Sequence, residues 1–261
     1  LLGGVGVGTG SFATGESYTI DRTSPSVALT SSATDPTNAA LILVNVVFSE
    51  SVVGFSVDDV TVGNAAVQDF TGAADTYSFN LVASGEGLVT ANIGDGVAND
   101  AAGNPNTAAA PFTRVFDSTG PSVSLSSATP NPTNLSPISV TVSFSEPVFG
   151  FTSGDISATN ATLTNLVGSG SFYTVDLIPV GDGMVTASID AGMVQDATGN
   201  DNTASVPFLR VYDSMAPTTV AITRVDSDPT NAASVLYDVT FSESVTGVDV
   251  TDFELATTGA L

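Results

Sequence analysis

The heptapeptide ISVTVSF at Ile138–Phe144 alternates without a break, placing Ile138, Val140, Val142 and Phe144 on one face and Ser139, Thr141 and Ser143 on the other. ILVNVVF at Ile42–Phe48 does the same with Ile42, Val44, Val46 and Phe48. A side-chain period of two is that of a β-strand with one face buried. Tyr77, Phe79 and Leu81 alternate with polar neighbours in the same way, as do Val185, Ala187 and Ile189. PNPTN, GSGS and GDG stand between such runs and supply turn chemistry: Gly for positive φ, Asn and Asp for local backbone bonding, Pro for fixed φ. No stretch sustains a helical period. The expected class is all-β.

Outward from these strands the chain repeats. Asp21, Asp117 and Asp213 stand 96 residues apart, each four residues before a proline, Pro25, Pro121 and Pro217. PTN recurs at Pro36, Pro132 and Pro229, and FSE at Phe48, Phe144 and Phe241, the third copy carrying one extra residue before its PTN. Close to half the positions of the first two copies are identical. About seven short strands per copy, with turn signals every 8 to 12 residues, is the pattern of an Ig-like sandwich, whereas a propeller blade needs about half that length. The expected domains are repeat 1 at 21–116, repeat 2 at 117–212 and an incomplete repeat 3 at 213–261. Residues 1–20 align with the last strand of a preceding module, with Gly4 where Asp100 stands and Gly8 where Asn104 stands.

The order DSTGPSV, PTN, FSEPVFGF, GDGMVTASI, DATGN resembles the bacterial Ig-like tandem repeats of large secreted adhesins and surface proteins. The resemblance covers residues 21–213 fully and the remainder in part. It implies sandwiches arranged end to end and a place outside the cell. The Trp and disulfide of antibody domains are missing, since the chain has neither Trp nor Cys.

Composition narrows the chemistry. The 261 residues carry 27 acids against four arginines, Arg22, Arg114, Arg210 and Arg224, for a net charge of −23. Such a surface repels nucleic-acid phosphates and anionic lipid and attracts divalent cations. No apolar run is long enough for membrane insertion. Absent Cys and His exclude disulfides, thiolate sites and most zinc or general-base chemistry. Absent Lys excludes a Lys–Asn isopeptide crosslink. The abundant Ser and Thr have no His or Lys to activate them, so catalysis is not expected.

In Ig topology the end of the second strand, the loop before the last strand and the entry to the first strand share one pole. FSE, DATGN and the junction aspartate are therefore expected to converge there. In repeat 1 this gathers Asp21, Glu50, Asp100 and Asn104, with Asp59 near the third strand; in repeat 2, Asp117, Glu146, Asp196 and Asn200, with Asp155; in repeat 3, Asp213, Glu243 and Asp252. Read singly, each residue is a turn or cap. Read together they form an all-oxygen set, which suits calcium's flexible six-to-eight coordination better than the strict octahedron of magnesium. Arg114 and Arg210 are expected to partner nearby carboxylates, and the GEG and GDG segments at Gly85 and Gly181 to be hairpin turns whose acids could face the next domain.

The expected function is a non-catalytic, calcium-stiffened extracellular or cell-surface array, its first partners being its own neighbouring repeats. The alternatives are a self-assembling filament or surface-layer subunit that exchanges strands with other copies, and an accessory module that binds glycan or protein on a cell surface.

Overall fold

The computed structural model describes residues 19–256, so the expectation for the N-terminal tail falls almost wholly outside the described residues. Repeat 1 contributes β1 (Val27–Thr30), β2 (Ile42–Phe48), β3 (Val60–Gly63), β4 (Ala65–Ala73), β5 (Thr76–Ala83), β6 (Gly87–Ile93) and β7 (Phe112–Phe116). Repeat 2 contributes β8 (Val123–Ser126), β9 (Ile138–Phe144), β10 (Ile156–Thr159), β11 (Ala161–Ser169), β12 (Phe172–Pro179), β13 (Gly183–Ile189) and β14 (Phe208–Tyr212). β15 (Thr219–Arg224) and β16 (Tyr237–Phe241) form an antiparallel pair in the third copy.

Each of the first two repeats is a pair of antiparallel sheets in the strand order of a seven-strand Ig sandwich. In repeat 1 the order is β1-β2-β5-β4 in one sheet and β3-β6-β7 in the other. In repeat 2 it is β8-β9-β12-β11 and β10-β13-β14.

The alternation fixes which faces meet. Ile42, Val44 and Val46 are fully buried and Phe48 nearly so; Ile138, Val140, Val142 and Phe144 repeat this one copy later. Tyr77, Phe79 and Leu81 meet them from β5, and Val89, Ala91 and Ile93 from the facing sheet. Phe48, Phe55 and Tyr77 pack edge to face, their ring centroids 5.0 to 6.0 Å apart, a preferred geometry for aromatic quadrupoles. The two repeats hold two separate cores.

One irregularity recurs. The β4–β5 ladder shifts register between Gln68 and Thr71, with Asp69 at φ 53°, and β11–β12 does so between Thr164 and Val167, with Asn165 at φ 52°. Just beyond each bulge stands Gly72 or Gly168 at φ 135°, where a Cβ would lie 2.4 or 2.3 Å from the carbonyl oxygen of Thr76 or Phe172. No larger residue fits there.

Strand direction sorts the connections into two poles. Following β1 to β7, the segments β2–β3 and β6–β7 lie at the upper pole, where the chain enters. The segment β1–β2, which carries PTN, and the tight β5–β6 turn lie at the lower pole, where the chain leaves for the next repeat.

Candidate functional site

At the upper pole of repeat 2, FSE divides its work among three residues. Phe144 is buried in the core. Ser145 holds the start of β8, its N–H donating to Ser122 O at 2.9 Å and its Oγ accepting from Ser122 N at 3.0 Å. Glu146 is thereby set beside the chain entry. Ser49 does the same in repeat 1 through Ser26.

The loop QDATGNDN is built around two side chains. Asn202 is buried; its Oδ1 accepts from Met193 N and Val194 N, and its amide donates to the carbonyls of Asp190 and Thr203. Asp196 is also buried, and its Oδ1 accepts from Thr198 N at 2.7 Å, Thr198 Oγ1 at 2.8 Å and Asn200 N at 2.9 Å. Burial pushes the Asp196 carboxyl upward, but the bonds from Asn200 and Thr198 together hold it below the usual aspartate range. The bond of Asn104 to Asp100 does the same in repeat 1.

Asp117 is fixed from three sides. Its N–H donates to Thr37 O at 3.0 Å, its carbonyl accepts from the Asn200 amide at 3.0 Å, and its Oδ1 accepts from Thr119 N at 3.1 Å.

The three segments bring Asp117, Glu146 and Asp196 together, with one carboxylate oxygen of each within 4.8 Å of the others; Asp21, Glu50 and Asp100 meet likewise in repeat 1. No cation of the protein relieves them: among the described residues the one ion pair joins Arg224 and Asp228. Burial raises Glu146 above the usual glutamate range, and Asp117, Asp196 and Glu86 raise it further. Burial, then Asp21 and Asp100, raise Glu50.

Two oxygens bound to one calcium at about 2.4 Å each are at most about 4.8 Å apart, and every pair in each triad meets that limit. The donors are all hard oxygens, so the residues fit calcium. Asp117, Glu146 and Asp196 would hold one ion, and Asp21, Glu50 and Asp100 another, each ion neutralising carboxylates that otherwise repel.

The remaining expected site residues lie elsewhere or act differently. Asp59 Oδ2 accepts from Ser56 N and Oγ at 2.8 and 2.9 Å, Asp155 Oδ2 likewise from Thr152, and Asp252 Oδ2 from Asp249 N. Each closes a single 3₁₀ turn, which for Asp59 and Asp155 leads into β3 and β10, and none of the three is among the grouped acids. Asn104 and Asn200 turn their amide nitrogens to Asp100 and Asp196, so they brace the carboxylates. Asp213 and Glu243 line one hollow with Asn134 and Leu135. Among the described residues the third copy assembles no group of three acids.

Arg114 and Arg210 correct the expectation of carboxylate partners. Arg114 lies over the Phe112 ring and donates to the carbonyls of Ala33, Thr113 and Ser31; Arg210 repeats this over Phe208 with Thr129, Leu209 and Ser127. A carbonyl partner leaves no mark in residue type.

Two features at the lower pole complete the joint. Glu86, in the β5–β6 turn of repeat 1, accepts from Ser118 N, Ser118 Oγ and Thr119 Oγ1, which holds it below the usual glutamate range. Asn38 of PTN donates to Asn200 Oδ1 across the joint at 3.1 Å. The recurrence of PTN was the available signal for the second, but not for its partner.

A family profile described as bacterial Ig-like domain matches residues 21–114 and again 117–209. No curated protein matches the chain. Among solved structures, the chain is similar to invasin, a bacterial integrin-binding protein, at 16% identity and a TM-score of 0.40, over 77% of this chain and 42% of that one. It is also similar to the Ig1–Ig3 ectodomain of mouse nectin-like molecule 4, at 11% identity and a TM-score of 0.31, over 74% of this chain and 65% of that one. With its two matched copies and their seven-strand sandwiches, the chain belongs to the bacterial Ig-like domain family.

Proposed function

We propose that the repeats form a calcium-stiffened, non-catalytic stalk or adhesive array outside a bacterial cell. The observation that carries this reading is the placing of a carboxylate triad at each chain entry, Asp21–Glu50–Asp100 and Asp117–Glu146–Asp196. The second triad lies where one sandwich hands over to the next. An ion there ties the linker, through Asp117, to two loops of the following domain, through Glu146 and Asp196. Repetition of the triad suits architecture rather than a single catalytic cleft, and the chain has no His, Lys or Cys to serve as base or thiol nucleophile. No helix among the described residues is long and apolar enough to cross a membrane. Extracellular modules bind calcium at about 0.1 to 1 mM, so such sites fill outside cells and empty in cytosol.

Small-angle scattering of the chain with calcium and with chelator tests the proposal. A profile that is extended and stiff in calcium and shorter or more heterogeneous in chelator supports it. Identical profiles count against it.

A further inference from the structure

We propose that the lower pole of repeat 1 carries a protein-only clasp, made by Asn38 of PTN and Glu86 of the β5–β6 turn, that recognises the upper pole of repeat 2 and sets the angle between them, the acid half recurring at Asp182 of repeat 2. The clasp deepens the stalk reading and rests on it. Its partner is another repeat of the same kind, bearing a small hydroxyl residue directly after the junction aspartate and an asparagine at the end of a DxxGN loop.

The geometry is direct. Glu86 takes Ser118 N at 3.2 and 3.1 Å, Ser118 Oγ at 2.6 Å and Thr119 Oγ1 at 3.1 Å. One repeat later Asp182, at the same place in its turn, takes Ser214 N and Oγ at 2.8 Å each. The two turns use acids of different length, yet each reaches the first residue after the junction aspartate.

On the other side of the linker, Asn38 donates to Asn200 Oδ1 at 3.1 Å while the Asn200 amide donates to Asp117 O at 3.0 Å. One side chain thus joins the lower pole of repeat 1, the linker and the loop of repeat 2. Thr37 and Thr133 anchor the PTN segments, their N–H groups donating to Val115 O and Val211 O and their carbonyls accepting from Asp117 N and Asp213 N. The linker is therefore gripped on both flanks by neutral or charge-assisted hydrogen bonds that need no ion.

The position of Glu86 also couples clasp and triad, because its charge is one of those felt by Glu146. The clasp holds a carboxylate near the triad that an isolated repeat 2 would lack.

The test uses the whole chain, whose lack of cysteine lets spin labels go only to the introduced pair Thr61→Cys and Thr164→Cys, both at exposed positions. Pulsed electron spin resonance then reads the distance distribution between repeats 1 and 2. In chelator the parent should keep a single distribution, somewhat broader than in calcium, and Asn38→Ala and Glu86→Ala should each roughly double its width while leaving the melting temperatures unchanged. Removing the hydroxyl donors instead, with Ser118→Ala and Thr119→Val, should broaden it less than Glu86→Ala does, because Ser118 N still donates to Glu86, and adding these two changes to Glu86→Ala should broaden it no further. Variants no broader than a parent that still narrows in calcium overturn the clasp and leave the stalk standing. A parent that in chelator shows no preferred distance overturns the clasp in favour of the ion alone. A parent broad in both conditions overturns clasp and stalk together.

Discussion

Asn80 Nδ2 donates to Asp69 Oδ2 at 3.0 Å across the β4–β5 bulge, and one repeat later the same bond runs the other way, from Asn165 Nδ2 to Asp176 Oδ2 at 3.0 Å. The acid and the amide have exchanged strands while the bond has kept its length. Either residue type tolerates the positive φ of the bulge, Asp69 at 53° and Asn165 at 52°. The bond is therefore the conserved feature of the two copies, rather than either residue.

Asp69→Asn keeps an oxygen that accepts from Asn80 and loses only the charge assistance, so at this exposed site it should cost repeat 1 about 0.5 kcal/mol. Adding Asn80→Asp recreates the arrangement of repeat 2 and should recover most of the loss. Thermal melting of the single and double variants checks this.

The separate cores predict separate responses. Leu177 is fully buried among Ile138, Val140 and Val175. Leu177→Ala should cost repeat 2 about 2 to 5 kcal/mol and leave repeat 1 nearly untouched. Amide hydrogen exchange resolves the two, with protection falling in β9, β12 and β13 but not in β2, β5 and β6.

In the absence of divalent cations stability should pass through a maximum on the acid side of neutrality. Glu50 and Glu146 are raised in the folded chain, so their contribution is present below the ordinary glutamate value and lost as pH rises through the raised folded values. Asp100 and Asp196 are lowered, so theirs is present above the ordinary aspartate value and lost as pH falls through the depressed ones. Melting temperature in chelator should therefore rise as pH falls from neutral into the glutamate range and drop below the aspartate range. Glu50→Gln with Glu146→Gln should flatten the rise and leave the acid-side drop.

The sandwiches were legible in the sequence because strand burial has a period of two and the 96-residue spacing shows each element more than once. The convergence of Asp117, Glu146 and Asp196 followed from strand direction alone. Asp59 and Asp155 were misplaced because being near a strand start does not say where an oxygen points; backbone N–H groups three residues upstream claim both. Arg114 bonds to carbonyls, which every residue type carries. Glu86 and Asn38 act across the joint, so their partners depend on the path of the linker rather than on any spacing within one repeat.

Calorimetric titration of the whole chain with calcium shows whether the two triads bind the ion. Saturable binding is expected at about 0.1 to 1 mM, the range of extracellular modules. Glu50→Gln and Glu146→Gln should each remove or greatly weaken one of the two triad sites while the fold is kept. Titration without saturable binding, or binding that both substitutions leave unchanged, would contradict calcium binding at the triads.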